Sequence, residues 1–141
     1  MRMSIRNQFP ATIAAVTPGQ VMGTVKSRLS GGQEITAAIT LEAIQDLGLS
    51  EGATAQVLIK STEVSLATGP IEGLSIRNQI PGTIRAVDHG AVMTTVKVDI
   101  GGGDILTAAI TKESAEDLKL VDGDRVTALV ESTEVSDATA K

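Results

Sequence analysis

The chain has 141 residues, a formal net charge of −5, one aromatic residue (Phe9) and no cysteine. Disulfides, thiolate metal sites and a thiol nucleophile are excluded, and nucleic acid is not expected as a partner, because phosphate backbones favour a basic surface and single strands favour aromatic platforms. No run of about 18 apolar residues exists to cross a bilayer as a helix, and the opening MRMSIRNQFP has neither an apolar core nor a cleavage pattern, so no membrane or export role is expected and a cytoplasmic location fits.

From the N-terminus, SIRNQFP (Ser4 to Pro10) places polar side chains where a strand begins. Val21, Val25 and Leu29 then fall on one face of a strand, and SGGQ (Ser30 to Gln33) supplies a glycine turn for a hairpin into Glu34–Ile39. TLEAIQDLGL predicts one short helix, with Thr40 as N-cap, Ile44 and Leu47 on one face and Gly48 as the C-terminal cap. After a turn at Glu51-Gly52, AQVLIKSTEVS reads as a last strand, and TGPIEG (Thr68 to Gly73) reads as a linker.

The same order then returns. Shifted by 71 residues the sequence matches itself without a gap, and more than half the positions from 4 to 68 are identical to their partners. Ser4-Ile5-Arg6-Asn7-Gln8 recurs as Ser75-Ile76-Arg77-Asn78-Gln79, and Thr36–Thr40 recurs as Thr107–Thr111. Val92, Thr94, Val96, Val98 and Ile100 alternate with Met93, Thr95, Lys97 and Asp99, the period of a half-buried strand. GGGD turns the chain into Ile105–Ile110, Thr111 caps a second helix, and VTALVESTEVS closes the copy. A period this long signals two tandem domains, at residues 3–69 and 74–141. The fold class that follows is mainly β: two tandem five-stranded barrels of the OB type, each with one short helix. Copies of about 65 residues lie at the lower edge of what one core stabilises, so they are expected to bury surface against each other, against other chains, or both.

The available chemistry is sparse. His89, the one histidine, lies in the turn VDHGA where the first copy has Pro18, which suits a solvated turn better than a catalytic base. No catalytic motif recurs and the carboxylates lack ligand spacing, so no enzyme is expected. What repeats is neutral donors: Ser4, Thr40 and Ser61, with Ser75, Thr111 and Ser132. Thr40 either helps hold an anion beside the free N–H groups of Glu42 and Ala43 or simply caps its own helix. Arg6 and Arg77 offer a planar fork to an oxyanion or a surface ion pair to a carboxylate, and Lys60-Ser61 offers a cation and a hydroxyl or a charged strand edge.

SIRNQFPATI, ITAAIT, the short helix and KSTEV closely resemble the molybdenum–pterin-binding (Mop) domain, and the tandem arrangement looks like a two-domain molbindin, a cytoplasmic molybdate-binding protein. The resemblance covers nearly the whole chain. It implies OB-like barrels that hold molybdate or tungstate at subunit interfaces for intracellular molybdenum storage and homeostasis. It also implies a homotrimer, since single Mop domains associate as hexamers. By this resemblance Ser4, Arg6, Thr40, Lys60 and Ser61 bind the oxyanion, as do Ser75, Arg77, Thr111, Ser114 and Ser132 of the second copy. Asn7, Gln8, Asn78 and Gln79 would line a second class of site near the threefold axis. Two departures set the copies apart: Glu131 matches Lys60, and Ser114 matches Ala43. Unequal binding is expected, with a composite site combining Lys60 of one domain and Ser114 of another. The alternative is a non-catalytic β assembly or regulatory module with no small ligand, its polar pentapeptide completing a subunit interface.

Overall fold

The structure is a computed structural model that describes residues 1–139. The first copy contains β1 (Asn7–Pro18), β2 (Met22–Leu29), β3 (Glu34–Thr40), α1 (Leu41–Leu47) and β4 (Thr54–Ile59). A single 3-10 turn (Ser61–Glu63) and a short β5 (Ser65–Ala67) follow. The second copy repeats this order as β6 (Asn78–His89), β7 (Met93–Gly101), β8 (Asp104–Thr111), α2 (Lys112–Asp117), β9 (Arg125–Val130), a turn at Ser132–Glu134 and β10 (Val135–Ala138).

The predicted periodicities hold inside the strands and fail at their ends. Thr94, Val96, Val98 and Ile100 are buried on one face of β7, as are Val25 and Leu29 on β2. Val21 and Val92 precede their strands and are 73% and 72% exposed. Thr40 caps α1 as expected, and Gly48 ends it at φ 64°, where the left-handed conformation carries no Cβ penalty. In α2 the corresponding position is Lys119, held at φ 53°.

The segment expected as one last strand is broken. The N–H of Glu63 bonds back to the carbonyl of Lys60 (3.0 Å), and the chain leaves its own sheet. β5 then pairs with β9 of the second copy (Ser65↔Leu129), while β10 pairs with β4 of the first (Val135↔Ile59). The two antiparallel sheets therefore run β10-β4-β1-β2-β3 and β5-β9-β6-β7-β8, each taking one edge strand from the other copy. Each sheet curls until its two edges approach, β10 packing beside β3 and β5 beside β8.

The copies also share one core. Phe9, Ile35 and Val57 belong to the same buried cluster as Ile80, Val96, Leu106 and Val130. A smaller cluster of Ile13, Val25, Ile44, Leu49 and Ala55 lies under α1. Two buried asparagines tie the halves. The Asn7 amide donates to the carbonyl of Thr107 (2.8 Å) and accepts from its N–H (2.7 Å); Asn78 does the same with Thr36 (2.8 Å for both). Each amide copies the donor–acceptor pair of a strand and caps an edge of the opposite sheet. The reciprocity, Asn7 with Thr107 and Asn78 with Thr36, is the signature of an isologous, twofold contact. Gly31 and its repeat partner Gly102 meet at that axis, where a Cβ on either would press against the other's backbone N.

Candidate functional site

The ladder between β1 and β4 builds the main polar site. Asn7 pairs with Ile59, so the residues just outside that pair, Arg6 and Lys60, emerge side by side although 54 positions apart in sequence. Arg6 Nε donates to the carbonyl of Ser4 (3.3 Å), and Gln8 Nε2 donates to the carbonyl of Ile5 (2.8 Å), folding the N-terminal arm back on itself. The result is a surface hollow of about 200 Å³ lined by Ser4, Ile5, Arg6, Lys60, Ser61 and Thr62. Four predicted residues, Ser4, Arg6, Lys60 and Ser61, thus converge. Thr62 is an addition that a motif reading passes over, because only the 3-10 turn aims it there.

The ion-pair alternative for Arg6 finds no support. Among the described residues the ion pairs are Arg28–Glu34 (3.4 Å) and Arg85–Asp99 (2.7 Å). A larger open groove of about 410 Å³ over Pro10, Thr12, Arg28, Ser30 and Thr54 is a poorer anion site, because its arginine already faces Glu34. The hollow at Arg6 and Lys60 instead offers two uncompensated cations and hydroxyl donors, a set that suits a small oxyanion.

In the second copy, the Asn78–Val130 pair sets Arg77 opposite Glu131 by the same register. Gln79 Nε2 donates to the carbonyl of Ile76 (2.9 Å), repeating the fold of the arm. The cation here stands near a carboxylate instead of a second cation.

The remaining predicted hydroxyls lie at the helix starts. Thr40 Oγ1 accepts from the N–H of Ala43 (3.1 Å), and the N–H of Leu41 bonds to the carbonyl of Val21 (2.8 Å). Thr111 Oγ1 accepts from the N–H of Ser114 (3.1 Å) and donates to Ser114 Oγ (2.7 Å). Both threonines act as caps, and neither lines the Arg6–Lys60 hollow. Ser114 lies in a separate hollow of about 350 Å³ with Ile110, Asp117 and Leu118 of its own copy and Ser65 and Leu66 of the other. The Ser61–Glu63 turn packs against β8, so residues flanking Lys60 and Ser114 do meet across the copies. Asn7 and Asn78 are 1% and 3% exposed, and their amides are engaged by the opposite copy's main chain.

Two titratable side chains stand outside the expected set. His89 Nδ1 lies 3.1 Å from Thr94 Oγ1 at the exposed end of β6. Asp137, on the exchanged strand β10, has both carboxylate oxygens shut from solvent with no hydrogen-bond partner, and burial pushes its pKa up to about 6. No sequence pattern announces it, since its repeat partner is Leu66. Among the described residues no group of three His, Asp or Glu is placed to hold a metal cation, and no helix is long and apolar enough to cross a membrane.

Comparison with known proteins adds a consistent context. The TOBE domain family matches residues 3–66 and again 74–136. The chain is 37% identical over 136 residues to the molybdenum-pterin-binding protein MopB of Rhodobacter capsulatus, covering 96% of this chain and 50% of that one. It is 39% identical over 66 residues to molybdenum-pterin-binding protein 3 of Clostridium pasteurianum, covering 47% of this chain and 97% of that one. The chain thus spans about half the length of its longer curated relatives. The crystal structure of the cytoplasmic molybdate-binding protein ModG with molybdate bound superposes with a TM-score of 0.95 at 32% identity, covering 99% of both chains.

Proposed function

The chain belongs to the TOBE domain family, as two such units in molbindin-type tandem, and from that membership we propose that it binds molybdate, and tungstate with it, at the meeting of domains and subunits. The reading makes it a non-catalytic, cytoplasmic buffer or store of the oxyanion that works as a homotrimer. The observation that carries it is the likeness, over 99% of both chains, to a protein whose structure holds molybdate. Supporting it is the convergence of Ser4, Arg6, Lys60 and Ser61 in one hollow.

Molybdate is a tetrahedral dianion that can only accept hydrogen bonds. Bonds to charged groups contribute about 1.5–3 kcal/mol each, so a few converging N–H and O–H donors hold it without a basic surface. A net charge of −5 is then no obstacle, because the attraction is local. In this reading Arg6 and Lys60 neutralise the charge while Ser4 and Ser61 orient the oxygens. Ser75, Arg77 and Ser132 are their counterparts in the second copy, as Thr111 is of Thr40, with Ser114 hydrogen-bonded to Thr111. Gln8 and Gln79, supported by Asn7 and Asn78, face a second class of site near the threefold axis. Binding requires no bond cleavage or redox change.

Thermal unfolding with sodium molybdate checks this. Stability rises by about 2.7 kcal/mol at a free concentration a hundredfold above Kd, Arg6→Ala with Lys60→Ala reduces the gain, and native mass spectrometry reports a trimer carrying the anion. An unchanged melting temperature up to millimolar molybdate, with no mass added, would leave only a ligand-free assembly module.

A further inference from the structure

The two copies are related by an internal twofold, yet their two junctions are chemically unlike. At one junction the Ser61–Glu63 turn and β5 of the first copy lie against β8 of the second. At the other, the Ser132–Glu134 turn and β10 of the second copy lie against β3 of the first. The repeat correspondence puts Glu131 where the first junction has Lys60, Asp137 where it has Leu66, and Ala43 where it has Ser114. Residues common to both, such as Thr40 and Thr111 or Asp46 and Asp117, cancel in the comparison.

The first junction therefore has a cation and an added hydroxyl; the second has two carboxylates and a methyl group. Asp137 is the more telling of the two. Its oxygens are buried and unpartnered, so no donor screens its charge. Leu66, its counterpart, lines the hollow that Ser114 enters from the other copy.

We propose that the chain is a one-sided oxyanion binder: the junction of the Lys60–Ser61 turn and β5 with β8 and Ser114 takes the tetrahedral dianion, and Glu131 with Asp137 closes the opposite junction to it. This rests on the molybdate-binding reading and fixes its stoichiometry. At a separation of about 8 Å in water, each unit charge changes the affinity for a dianion by about fivefold. Lys60 against Glu131 and Leu66 against Asp137 together make a difference of three unit charges, which weakens the closed junction by about a hundredfold before screening. Separate single-domain chains would build both junctions from the same residues. Fusing two copies lets the junctions differ.

Isothermal titration of the full chain with sodium molybdate decides the matter. The expected result is that Glu131→Lys combined with Asp137→Leu adds one anion per chain to the wild-type count, and that Lys60→Glu removes one. Glu131→Lys alone, at an exposed position, gives a partial gain in affinity at the second junction and guards against misfolding of the double variant. A wild-type chain that already fills both junctions with similar affinity, or a double variant of native melting behaviour with unchanged stoichiometry, overturns the proposal while leaving molybdate binding intact. A wild-type chain that takes up no molybdate overturns both.

Discussion

At the scale of single residues, the side chains that matter most are polar and buried. Asn7 satisfies the N–H and the carbonyl of Thr107, and Asn78 those of Thr36. Removing either amide orphans one donor and one acceptor, each costing about 1–3 kcal/mol. Asn7→Ala is therefore expected to lose about 2–6 kcal/mol in urea unfolding, and Asn78→Ala a similar amount; a loss under about 1 kcal/mol would mean that water replaces the bridge. Asp137 gives a pH signature of unusual sign. Its folded pKa of about 6 lies above the ordinary 3.8, so the folded state holds the proton more tightly than the unfolded state. Below about pH 4 its ionisation adds no cost; that penalty grows as pH rises to about 6 and levels off near 3 kcal/mol. The stability difference between Asp137→Asn and wild type should therefore widen between pH 4 and 6 and stay flat above. A difference independent of pH over that window would show Asp137 to be solvated.

At the scale of elements, the caps and turns follow local rules with one exception. Gly48 ends α1 in the left-handed region, and Lys119 is forced into the same conformation after α2. A residue with a Cβ pays roughly 1–2 kcal/mol there, partly recovered through its smaller unfolded-state entropy. Lys119→Gly should raise stability by about 0.5–1 kcal/mol, read as a higher melting temperature with unchanged molybdate binding. The hairpin tips give the opposite test. A Cβ at Gly102 meets the Gly31 backbone, whereas one at Gly103 meets nothing within 4 Å. Both have positive φ, 65° and 83°. Gly103→Ala should cost only the backbone strain of about 1 kcal/mol, and Gly102→Ala at least about 1 kcal/mol more, because two main chains must part. Equal losses would place the tips further apart than they stand here.

At the scale of the whole molecule, strand exchange and the common core make the two copies one folding unit. Neither sheet is complete without a strand from the other copy, and the main cluster draws on both. That answers the difficulty of stabilising copies of about 65 residues alone. Exposed Val21 and Met22 at one hairpin tip recur as Val92 and Met93 at the other, apolar surface consistent with further assembly of the kind proposed above.

The sequence by itself determined the repeat, the hairpins, both helix N-caps and the recurrence of the same hydroxyls and arginine in each copy. These are properties of neighbours along the chain: alternation, turn chemistry, and a hydroxyl three residues before the N–H it accepts from. It did not determine which sheet the last strands join. Ser65–Ala67 meets the requirements of a ladder equally well beside its own β4 or beside β9, because backbone hydrogen bonds carry no label of origin. Nor did it determine that Arg6 would stand beside Lys60, that Asn7 and Asn78 would bridge the copies, or that Asp137 would lose its solvent. Those follow from register and exchange, which only the packing of both copies into one core selects.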